Sequence, residues 1–68
     1  MSDNTLADSL LREIRRNIVL VGQYESIGPA GGFGKAAILE DLLTTFKAAM
    51  ENDLPKLIQC HEALKGNQ

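Results

Sequence analysis

Between Leu39 and Leu64 the chain reads LEDLLTTFKAAMENDLPKLIQCHEAL. Leu39, Leu43, Phe46, Met50, Leu54, Leu57, His61 and Leu64 recur at spacings of 4, 3, 4, 4, 3, 4 and 3. An α-helix puts such a set on one face, whereas a strand would alternate every second residue. Leu42, Ala49 and Ile58 widen the stripe. Pro55 interrupts it, because a proline inside a helix removes one backbone hydrogen bond and costs about 3 kcal/mol. Asn52 or Asp53 can cap a new helix that holds Pro55 in its tolerated first turn. A kinked helix and two helices both keep the phase of the stripe. The capping residues tip the reading to two helices, at about 35–51 and 54–65, the last ended by Gly66.

Upstream, the apolar residues Leu6, Leu10, Ile14, Ile18 and Val21 are spaced 4, 4, 4 and 3, with Leu11 beside them. Thr5 and Asp8 have the spacing of a capping box. The β-branched run Ile18, Val19 and Val21, followed by Gly22, weakens the helix and leaves a short strand open. Leu20, Tyr24 and Ile27 keep the helical spacing, so the expected helix covers about 5–27. Gly28 and Pro29 are its stop. Residues 28–34 read GPAGGFG and hold four of the six glycines. That length joins two antiparallel helices.

The expected fold is therefore all-α. It is a helical hairpin in one domain, residues 1–68, with its second arm broken or kinked near Asn52–Pro55. Composition agrees. Of 68 residues, 44% are apolar, with ten leucines and seven alanines against three aromatics, Tyr24, Phe33 and Phe46. Such a chain is too apolar for a disordered tail and too poor in aromatics for a β-domain.

Small domains below roughly 70–80 residues often need a staple. One cysteine, Cys60, cannot close an internal disulfide, and it builds no metal site with His61 alone. Two arms with wide stripes carry more apolar surface than one hairpin covers. The expectation is a homodimeric helical bundle using Leu10, Ile14, Ile18, Leu39, Leu43, Phe46, Met50 and Leu57. A monomeric three-helix bundle is the plainer alternative.

No catalytic constellation is legible, and neither a metal nor another cofactor is expected. Cys60 and His61 are sequence neighbours, which a helix points about 100° apart, so they do not form a nucleophile–base pair. The glycine loop fails the phosphate-loop pattern GxxxxGK[ST], because Pro29 stands at its first glycine and Ala36 at its hydroxyl position. A net charge of −2, with no cationic cluster at either end, disfavours nucleic acid. The longest apolar run is the four residues Ile18 to Val21, too short for a membrane span. The polar, acidic start predicts a cytoplasmic protein rather than a secreted one.

What remains is binding. Arg12, Arg15 and Arg16 share a face at i, i+3 and i+4. They either pair with nearby acids or offer planar forks to an acidic partner surface. Phe33, flanked by glycines, either folds back as a plug, the commoner outcome, or anchors a partner pocket. With Tyr24 these residues are the candidate contacts to a larger protein. The leading expectation is a small non-enzymatic protein-binding module acting as inhibitor, adaptor or chaperone. The alternative is a helix-turn-helix DNA regulator reading with Lys56, Gln59, His61, Glu62 and Lys65 of its last helix.

Overall fold

The computed structural model describes residues 5–68. Among these, three α-helices follow one another: α1 at Leu6–Ile27, α2 at Gly32–Met50 and α3 at Leu54–Gly66. A single 3-10 turn at Pro29–Gly31 links α1 to α2. The all-α reading is correct, and the second arm is two helices rather than one kinked rod.

Local chemistry sets each boundary. Thr5 is extended, and its Oγ1 accepts from the Asp8 N–H at 3.1 Å while its hydroxyl donates to Asp8 Oδ2 at 2.7 Å. This pair satisfies one of the orphan donors of the first turn and puts a carboxylate at the positive helix end. Gly28 ends α1 at φ 86°, a conformation that costs a side-chain-bearing residue about 1 kcal/mol or more. The helix α2 starts three residues before the expected Lys35. Gly32, Phe33 and Gly34 are already helical.

The α2–α3 break is equally explicit. Asn52 takes a left-handed φ of 55°. The Asp53 N–H donates to the Ala48 carbonyl at 3.0 Å and the Asn52 N–H to the Ala49 carbonyl at 3.2 Å. That crossed pair is the Schellman closure of a helix, here with asparagine in glycine's usual place. Asp53 then opens α3, its Oδ1 accepting from the Lys56 N–H at 3.2 Å. One residue therefore closes α2 and caps α3, and Pro55 sits in the first turn where its missing N–H costs nothing.

The core consists of Leu10, Ile38, Leu42 and Leu64, with Ile14, Leu20, Val21, Tyr24 and Leu57 packed around it. Ala48 and Cys60 are buried as well. The helix α2 presents Ile38, Leu42, Thr45 and Ala48 inward. Leu39, Leu43 and Phe46, each one residue further on than Ile38, Leu42 and Thr45, stay exposed, as does Met50. Each residue advances about 100° around a helix, so the two stripes are rotated by about that angle. Leu10 is buried in the core and so is not surface available to a second chain.

Candidate functional site

The helix α3 lies along one side of the α1/α2 hairpin, parallel to α1, and is held there by polar contacts. Asn17 is fully buried. Its Nδ2 donates to the Leu64 carbonyl at 3.0 Å and to the Glu13 carbonyl at 2.7 Å. Its Oδ1 accepts from Asn67 Nδ2 at 2.9 Å, and that same amide reaches Asp41 Oδ2 at 3.0 Å. Three helices thus meet in one network. Among the described residues no buried side-chain nitrogen or oxygen lacks a partner, as a stable buried network requires.

Arg16 completes this clasp. Its Nη2 donates to the carbonyls of Leu64 at 2.8 Å and Lys65 at 3.2 Å, and its Nη1 to that of Asn67 at 2.8 Å. Its Nε is held by Glu13 Oε1 at 2.8 Å. A guanidinium set on the orphan carbonyls of a helix C-terminus stabilises by about 1–2 kcal/mol. Arg16 is therefore engaged within the chain, which takes it out of the expected three-arginine partner face; Arg12 and Arg15 are exposed. Tyr24 is likewise engaged. Its hydroxyl donates to the Gln68 carbonyl. Its ring lies over Gly34, where an added Cβ would come within 2.6 Å of the ring.

Phe33 does not fold back. It is 95% exposed in the first turn of α2. The commoner expectation of a plug over the bundle end is corrected: helix formation from Gly32 points the ring outward, away from the Tyr24 seat.

The opposite side of the hairpin is uncovered. Leu11, Ile18, Leu39, Leu43, Phe46 and Met50 are all exposed there, Met50 at 84%. Ile14 and Leu57 are half-buried. Where α1 begins and α2 ends, the helices leave a groove of about 480 Å³ between Leu6, Leu11, Ile14, Phe46, Ala49 and Leu54, with Leu10 and Leu57 at its base. Apart from Thr45, which is turned to the Asp41 carbonyl at 2.7 Å, its lining is apolar. Exposed leucines are ordinary singly, but a contiguous apolar strip on so small a chain marks an interaction surface. Of the expected dimer contacts, Ile18, Leu39, Leu43, Phe46 and Met50 are thus gathered on one open face, with Ile14 at its floor.

Other chemistry is sparse. Cys60 is buried as a free thiol. His61 is half-buried, its Nδ1 3.8 Å from Glu62 Oε1. Among the described residues no group of three His, Cys, Asp or Glu is placed to hold a metal ion, and no helix is long and apolar enough to cross a membrane. On α3, Lys56, Gln59, Glu62 and Lys65 are exposed. Comparison with known proteins found no matching family model, no matching curated protein and no matching solved structure.

Proposed function

We propose that this chain is a small non-enzymatic protein-binding module that works as a helical homodimer docked on a larger protein. The observation that carries this reading is the open apolar face of α1 and α2. Leu11, Ile18, Leu39, Leu43, Phe46 and Met50 are between 39% and 84% exposed. At roughly 200 Å² per large apolar side chain, they offer about 700 Å² per chain, the lower range of a specific interface before the helix rims are counted. Burying such a strip in water-excluded contact is strongly favourable, and leaving it wet invites non-specific association.

Docking on the larger protein falls to the side outside that face. Phe33 is the natural anchor, because an aromatic ring standing clear of its own fold offers a large contact area on only two rotatable bonds. The effect on the partner is inhibition, scaffolding or holding.

Light scattering tests the first half. The expected mass is about twice the chain's 7.4 kDa at micromolar concentration, falling to one chain in Leu43→Glu, because a carboxylate at the centre of the face cannot be buried unpaired. A wild type of single-chain mass would sink the dimer. Phe33→Ala tests the second half: it should leave the dimer intact and lose the protein recovered by the wild type from its native host. Equal recovery would place the docking surface elsewhere.

A further inference from the structure

The open face has an internal symmetry that identifies how a second copy would sit on it, a step that rests on the homodimer reading above. On α1 the strip is Ala7, Leu11, Ile14 and Ile18, at spacings of 4, 3 and 4. On α2, read backwards, it is Met50, Phe46, Leu43 and Leu39, again 4, 3 and 4. These are the knobs of an antiparallel seam, and helices with matched heptad spacing interdigitate along it.

Charge follows the same rule. Asp8 and Arg15 flank the α1 strip, where they line one shallow depression with Leu11. Glu40 and Lys47 flank the α2 strip, lining another with Leu43. Each pair is seven residues apart, and in both the negative charge comes first along the sequence. An antiparallel meeting of the two strips sets Arg15 opposite Glu40 and Asp8 opposite Lys47. A parallel meeting would set like charges together.

We infer that the open face is covered by a second copy of this chain, with α1 of each copy running antiparallel along α2 of the other about a two-fold axis parallel to the helices. Leu11 then meets the partner's Phe46, Ile14 the partner's Leu43, and Ile18 the partner's Leu39. Ala7 meets the partner's Met50, so the smallest side chain faces the longest. The layer of Leu11 and Phe46 from both copies closes the apolar groove. Arg15 reaches the partner's Glu40 and Asp8 the partner's Lys47 at the rims, where charges set orientation more than affinity.

A different two-fold, perpendicular to the helices, would lay α1 on its own copy and α2 on its own copy. That packing stacks bulk on bulk along α2 and slim on slim along α1. The first arrangement spreads bulk evenly.

Charge exchange separates the two, read by sedimentation equilibrium of the full chain at low salt. Arg15→Glu and Glu40→Arg are each expected to weaken the dimer about tenfold, because every substitution turns two symmetric attractions into repulsions. The double variant, and an equimolar mixture of the two single variants, should return to within about twofold of wild type. Recovery on mixing also shows that both single variants fold. If the wild type dimerises but neither single variant weakens it, or neither the double variant nor the mixture recovers, this pairing is wrong and the dimer stands in another geometry. A wild type that stays monomeric overturns both the pairing and the dimer.

Discussion

The two sides of the α1/α2 hairpin invert the usual order of polar and apolar. Toward α3, Asn17 and Thr45 are both 0% exposed. On the far side and at the loop end, Met50 and Phe33 are 84% and 95% exposed. The internal joint is fastened by hydrogen bonds of fixed geometry, while the open side holds unspent hydrophobic area. Directional bonds specify one position of α3, because a one-residue slip would orphan the Leu64 carbonyl and the Asn67 amide. Apolar area specifies less and is free to take a partner.

Adjacent leucines give the sharpest way to break this comparison. Leu42→Ala removes a core side chain and is expected to cost about 2–4 kcal/mol of folding stability. Leu43→Ala, one residue away, should cost less than about 0.5 kcal/mol when urea melts are run dilute enough to keep the chain monomeric. Equal losses at both positions would mean that the open side is already internal packing. Next in size, Asn17→Ala leaves the Leu64 carbonyl with one donor fewer and the Asn67 amide with one acceptor fewer, for an expected loss of about 2 kcal/mol. A loss under 0.5 kcal/mol would show that α3 is held by its leucines alone. Smallest, Thr5→Ala removes the cap of α1 and should cost about 1 kcal/mol. Amide exchange should localise that loss to the first turn, and faster exchange throughout α1 would make the cap part of the global fold.

Much of the fold was legible, and for local reasons. Thr5 with Asp8, Gly28 before Pro29, and Asp53 ahead of Pro55 each satisfy or free identifiable backbone groups, so the helix ends could be placed from a few neighbouring residues. The rotational setting of α2 was not legible. Ile38, Leu42 and Thr45 share the helical spacing of Leu39, Leu43 and Phe46, and periodicity alone cannot choose between stripes one residue apart. Thr45 joins the inner stripe only because its hydroxyl is satisfied by the Asp41 carbonyl. Asn17 did leave a signal. It stands seven residues from both Leu10 and Tyr24, in the phase of the packed positions, and asparagine in such a phase is a known register device. Arg16 left none, since the carbonyls it binds lie 48, 49 and 51 residues away. The open face was anticipated through Ile18, Leu39, Leu43, Phe46 and Met50, but Leu10 was not separable from them by spacing.

The double role of Asp53 has a consequence for how this chain can vary. Its backbone N–H finishes one helix and its carboxylate begins the next, so no spare residue lies between α2 and α3. The connection therefore transmits rotation as well as direction: the azimuth of α3, and with it the inward setting of Cys60 and Leu64, is inherited from α2. Side chains on the outer faces are free to drift under such a constraint, whereas the length of this joint is not.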